Sequence, residues 1–179
     1  MKAEVEVIIH PYSIEKNNYL LNLLIQEFNT NKWTHFYSAV AFIRKSGNYK
    51  ELLKSMISFA EKGGSIEMTF GADVFSGNVK GSDYIALENL LNKMEKYQNV
   101  KFFLYHEKNR TFHPKLYLFS SQKEKSGLLI IGSSNWSYGG FVHNIEANVL
   151  INLDLEDSEH LKCFNEIMEF FQAYWQEIE

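Results

Sequence analysis

Two short runs limit the fold more than anything else in the chain. Leu128-Leu-Ile-Ile131 is apolar without alternation, and Leu116 to Phe119 is apolar on both sides of an extended chain. Strands of that kind need cover on both faces, so they belong in the middle of a sheet packed between other layers. The segments around them agree. Glu4 to His10 alternates, with Val5, Val7 and Ile9 on one side, and reads as a strand ended by Pro11. Ser13 and Glu15 suit the start of a helix over 14–29, whose stripe is Leu20, Leu21, Leu24, Ile25 and Phe28.

Thr34 to Ile43 is aromatic and β-branched, which predicts a buried strand. A helix follows over 47–62, stopped by Gly63-Gly64, then a short strand from Ser65 to Phe70. The stretch 71–83, with Gly71, Gly77 and Gly81, reads as a loop. Ser82 would cap a helix through Tyr97, and strands follow at 100–105, 114–120, 128–131 and 145–153. Leu161, Phe164, Ile167, Phe171, Tyr174 and Ile178 carry a closing helix over 157–177. The order β-α-β-α-β-α-β-β-β-β-α is that of an α/β layer protein, crossover units first and consecutive strands after.

The 179 residues suffice for one domain with a sizeable core, and no internal repeat suggests a second site. Cys163 is the sole cysteine, so no internal disulfide or Cys-rich metal site forms; on the apolar side of its helix it reads as a buried structural thiol. A reducing cytoplasm is the expected compartment. The only apolar run near the start, Val7 to Ile9, is too short for a signal peptide or a membrane span. Net charge is -4, but it is unevenly spread. Lys101 to Lys125 carries six cations against two anions, while Asp154 to Glu179 carries eight anions against Lys162. The basic stretch encloses His113 and Lys115, the first of the residues of chemical interest.

Those residues form three clusters. His113 and Lys115, two apart on a strand, project from one face, and Pro114 between them suits a strand end. An unpartnered Lys and His beside a central strand are costly, which argues for a use, although a solvated strand end is the plain alternative. Gly132-Ser-Ser-Asn135 combines a glycine that allows close backbone approach with short polar groups suited to phosphate oxygens; it is equally the composition of a turn. In Asn144-Ile145-Glu146 the polar pair shares a face and Ile145 is expected to point into the core. A carboxylate there can accept from a histidine and fix its tautomer.

In that order and spacing, His113-Pro-Lys115, Gly132-Ser133-Ser134-Asn135 and Glu146 resemble the HKD signature of the phospholipase D superfamily. The family's Asp, five positions after its Lys, is Ser120 here. That Asp is mainly structural in the family and is missing from a nuclease branch that includes metal-independent restriction endonucleases, to which the chain looks most similar. The resemblance implies a mixed central sheet of about seven strands with helices on both faces, spanning residues 1–179 as one domain. It implies that His113 attacks phosphorus to give a phosphohistidine, that Lys115 and Asn135 hold the non-bridging oxygens, with help from Ser133, and that Glu146 orients His113.

No cofactor or metal is implied, and no carboxylate cluster or His/Cys spacing suggests one. Family members use two such motifs, the second His protonating the leaving group. With one motif, a homodimer sharing the site is the economical arrangement. DNA is the expected substrate, supported also by Trp136 and Tyr138, which either stack on the nucleic acid or pack internally. Specificity would be absent or come from elsewhere, such as a helicase or ATPase partner, and restriction or phage defence is the analogous setting. The alternatives are a phosphodiesterase or transferase acting on lipid headgroups, against which no interfacial anchor is seen, and a binding module that keeps the fold without activity.

Overall fold

The computed structural model describes residues 4–10, 19–75 and 78–175. Its strands are β1 (Glu4–His10), β2 (His35–Val40), β3 (Ser65–Phe75), β4 (Asn78–Gly81), β5 (Val100–Tyr105), β6 (Lys115–Ser121), β7 (Ser126–Gly132) and β8 (Glu146–Asp154). The helices are α1 (Leu20–Asn29), α2 (Lys50–Glu61), α3 (Tyr84–Met94) and α4 (Ser158–Trp175). A 3₁₀ turn at Lys45–Gly47 and a π-helical turn at Gly139–His143 complete the order.

Seven strands form the main sheet in the order β1-β8-β7-β6-β2-β3-β5, and β4 folds back on the far end of β3. Pairing is antiparallel from β1 to β2 and parallel from β2 through β3 to β5. The mixed sheet follows from the connections. Crossover helices return the chain in the same direction, whereas the tight β6–β7 turn reverses it. The strands with two-sided apolar sequence, β6 and β7, are central.

Alternation along them builds two cores. Tyr117, Phe119, Leu128 and Ile130 face α1, α2 and α3; Leu118 and Leu129 face α4, with Phe164, Ile167 and Phe171. Phe28 of α1 packs on Phe36 and Phe119, with ring centroids 4.7 and 5.0 Å away. Burying such a ring contributes about 2–3 kcal/mol, so this aromatic knot fixes α1 over the sheet centre.

Several expectations change. Residues 71–83 are not a connector: β3 runs on to Phe75 and pairs with β4, its backbone bonds needing no apolar pattern. The cap of α3 is Asp83, which accepts from the amides of Ile85 and Ala86; Ser82 instead donates to Gly71 O. The first helix begins at Leu20, and Ser13 lies outside the described residues. Cys163 is half-buried against the α4 core. No described helix is long and apolar enough to cross a membrane.

The basic stretch 101–125 is also dispersed. Lys101 sits at the start of β5, and Lys123 and Lys125 in the β6–β7 turn, all at the sheet end opposite Lys115. Lys101, Arg110 and Lys123 are paired with Glu67, Glu107 and Glu124.

Candidate active site

The three clusters meet at one end of the sheet because the register brings them there. Lys115 opens β6 opposite Val40, Gly132 closes β7 opposite Asn148, and Glu146 opens β8 opposite His10. Lys115 is buried and His113 exposed. The Lys115 ammonium lies 2.8 Å from His113 Nδ1 and 3.0 Å from Nε2, and it donates to His113 O at 3.1 Å. A lysine can donate only to an unprotonated ring nitrogen, so only one of the two ring nitrogens of a neutral imidazole, whichever the tautomer leaves unprotonated, can accept from it. Burial pulls the Lys115 pKa below its ordinary value, and the Glu146 carboxylate nearby pulls it back up.

Glu146 is held by two donors, Ser133 Oγ and, at 3.1 Å, Asn144 Nδ2. Asn144 and Glu146 thus share a face, as their spacing requires, but Ile145 is 67% exposed and does not enter the core. The carboxylate bonds to Ser133 and Asn144 in place of the expected contact to His113. Ser133 Oγ also accepts from Ala147 N, tying β7's end to β8's start.

Gly132 has a structural use. A Cβ there would run into Ala147 O and Asn148, so glycine permits the close β7–β8 approach. Below it, Asn148 Nδ2 donates to Ser134 Oγ and Tyr117 Oη to Ser134 O, both buried. Asn135 is half-buried with its Oδ1 enclosed and unpartnered. Its backbone rests on Gly140, where a Cβ would lie 2.6 Å from Asn135 N. Gly140 O in turn faces His10 Nε2 at 3.2 Å. His10 is fully buried, edge-on to Tyr19, and burial lowers its pKa.

His10 and Gly140 escaped the sequence reading; the alternation of β1 put His10 on the inward face with Ile8, which was the available signal. Trp136 resolves to core: it is fully buried, donates to Asn48 Oδ1 and bridges to Ile43, while Tyr138 is 46% exposed. Ser120 is buried at the other end of β6, about 17 Å from Lys115 at strand spacing, too far to touch the chemistry. Among the described residues no group of three His, Cys, Asp or Glu is placed to hold a metal.

A mixed sheet between helical layers, with His-x-Lys at the start of one strand and the Ser-Ser-Asn loop and Glu on its neighbours, defines a phospholipase D-like phosphodiesterase fold. The family described as "Cardiolipin synthase, PLD-like domain" matches residues 5–175, and the chain belongs to it. Among solved structures, NucT from Helicobacter pylori aligns with TM-score 0.62 at 19% identity, over 96% of this chain and 97% of NucT. The phospholipase D family member Nuc from Salmonella typhimurium aligns with TM-score 0.63 at 15% identity, over 97% and 95%. Phosphatidylserine synthase from Haemophilus influenzae Rd KW20 gives 0.64 at 14% identity, over 97% of this chain but 39% of the synthase. These likenesses are of fold. No curated protein sequence matches the chain significantly.

Proposed function

We propose that this chain is a metal-independent endonuclease that hydrolyses DNA phosphodiesters through a phosphohistidine, at a site completed by a second copy. The observation that carries this reading is the exposed His113 set against a buried Lys115, beside a Glu146 already fixed by two donors. The nucleophile stands at the surface while its supporting groups are organised beneath it.

In the first step His113 attacks phosphorus. The N–P bond forms, the P–O bond breaks, and the leaving oxygen takes a proton from the partner's His113. Lys115 passes from the imidazole to a non-bridging oxygen, which frees the attacking lone pair and offsets the charge of the transition state. Asn135 donates to the same phosphoryl group from the loop backed by Gly140. Glu146, held by Ser133 and Asn144, sets the electrostatic environment of Lys115 and orients the imidazole once Lys115 has moved. Water then attacks phosphorus, gives its proton to the partner's His113, and releases the first imidazole.

The fold is shared over 97% of NucT and 95% of Nuc, which supports this substrate class. The second copy has a surface to occupy. Val5, Val7 and Ile9 lie exposed along β1, and their strand partners lead across β8 to exposed Ile131, giving an apolar strip that reaches the site end. A helicase or ATPase partner would supply sequence specificity, with restriction or phage defence as the setting.

The test is incubation of the purified chain with plasmid in EDTA. Cleavage that persists in EDTA and disappears in His113→Ala is the expected result; a requirement for Mg²⁺, or activity in His113→Ala, would overturn the mechanism. The fold shared with phosphatidylserine synthase supports a second reading, a phosphodiesterase of lipid headgroups. Headgroup release from liposomes without DNA cleavage would establish it instead.

A further inference from the structure

A groove of about 540 Å³ lies between α2 and α3 and opens beside the 3₁₀ turn at Lys45–Gly47. Its walls carry Lys45, Lys50, Lys54 and Lys93, with Asn48 and Asn89 between them, and Leu53 and Ile57 form its apolar floor. All four lysines are exposed, and no carboxylate lines the groove. The chain as a whole has more acidic than basic residues, 22 against 18, so this segregation is not a sample of the average surface. None of the four makes a salt bridge among the described residues.

The placement costs something. Lys50 and Lys54 are one turn apart on α2, where like charges repel, and Lys50 stands in the first turn, against the helix dipole. Such an arrangement is relieved by a polyanion.

The groove is joined to the site. Arg44 N donates to Trp136 O at 2.9 Å, Tyr138 N donates to Ser46 Oγ at 3.2 Å, and Trp136 Nε1 donates to Asn48 Oδ1 at 3.3 Å. Trp136 follows Asn135 directly, so the wall bearing Lys45 and Asn48 is bonded to the loop that bears Asn135. α3 begins near this wall, where Asp83 N donates to Ile43 O, and Lys93 lies about 14 Å along the helix from Tyr84.

We infer that this groove is a nucleic-acid-binding track, in which the four lysines hold phosphates of the strand several nucleotides from the scissile bond. The inference rests on the nuclease reading and adds the path by which the strand reaches the site. The floor of Leu53 and Ile57 gives sugar and base edges an apolar surface, and Asn89 offers a neutral donor between the charges, while Asn48 is held by Ala86 O and Trp136 Nε1.

The test replaces all four lysines by glutamine, which keeps helix propensity and removes the charge. Binding of a fluorescein-labelled DNA strand is followed by anisotropy across a salt series in the wild-type and fourfold-variant chains. Hydrolysis of bis(p-nitrophenyl) phosphate, too small to reach the groove, is followed in parallel. Four lost phosphate contacts flatten the slope of log K against log salt by about 3, with small-diester hydrolysis unchanged and the melting temperature not lowered. An unaltered slope, with wild-type chain that binds and cuts DNA, overturns the groove and leaves the nuclease reading standing. A fourfold variant that loses small-diester hydrolysis also overturns it, since the lysines would then act on the site and not on the strand. Wild-type chain that neither binds nor cuts DNA removes both.

Discussion

Lys115 Nζ lies 2.8 Å from Nδ1 and 3.0 Å from Nε2 of His113, so the cation proposed to hold the phosphate rests against the proposed nucleophile instead. A phosphoryl oxygen must outcompete the imidazole for that ammonium before the lone pair is free. The exchange needs a compact, swivelling donor. Lys115→Ala is therefore expected to lower kcat by about 10²- to 10³-fold, the usual loss for one transition-state donor. Lys115→Arg, whose planar fork cannot swivel in the same way, should recover little of it. Single-turnover cleavage measures both, and a wild-type rate in Lys115→Arg would sink the exchange.

His10 is expected to make the fold sensitive to acid. Its ring is fully buried, with Nε2 against Gly140 O and Nδ1 unpartnered, and burial lowers its pKa below the ordinary 6.5. Below pH 6.5 the unfolded chain therefore binds a proton that the folded chain resists. The stability held above that pH is lost as pH falls toward the folded value. His10→Gln can keep a donor toward Gly140 without titrating, so its melting temperature should fall less steeply between pH 6.5 and 5. Equal slopes for the two proteins would show that His10 is not the acid-sensitive group.

Gly140 links that histidine to the Asn135 loop. A methyl at this position would overlap Asn135 O and lie 2.6 Å from Asn135 N. Gly140→Ala is expected to cost about 1–3 kcal/mol of stability and to displace Asn135, so that kcat falls further than KM rises. Gly63→Ala is a useful contrast: a Cβ there meets nothing, and only its φ of +90° opposes the change. Its effect should be confined to stability. Denaturant midpoints alongside cleavage kinetics separate the two, and a Gly140→Ala enzyme with wild-type kcat would detach this turn from the site.

The parts of this molecule visible in sequence are those written in short-range pattern. The two-sided runs of β6 and β7 announce the sheet centre, and the i, i+2 spacing of His113 and Lys115 and of Asn144 and Glu146 announces shared faces. What depends on chain return was hidden. Trp136 sits in a loop by sequence but is buried because residues 43–48 fold over it. The 71–83 segment lacks apolar alternation, yet β3 and β4 satisfy each other's backbone. The basic run 101–125 is continuous in sequence, but strand reversal carries Lys101, Lys123 and Lys125 to the wrong end. Conversely the lysine groove is assembled from a turn and two helices, so no window of sequence contains it.

The proposed shared site makes a quantitative prediction. If attack and leaving-group protonation come from the two copies of His113, a dimer with one His113→Ala subunit lacks either nucleophile or acid. In mixtures of wild-type and His113→Ala chains, allowed to exchange or co-expressed, only the doubly wild-type dimer turns over. Activity per total protein then follows the square of the wild-type fraction: at equal amounts it is a quarter of the wild-type value, where independent subunits would give half. The apolar strip supplies a companion test. Val7 is 62% exposed on β1, so Val7→Glu adds a charge without disturbing the core of one chain. It should shift light scattering toward a monomer and remove cleavage together, with little change in the monomer's own fold by circular dichroism. Linear dependence on the wild-type fraction, or full activity in a monomeric Val7→Glu chain, would mean that one copy of His113 is enough.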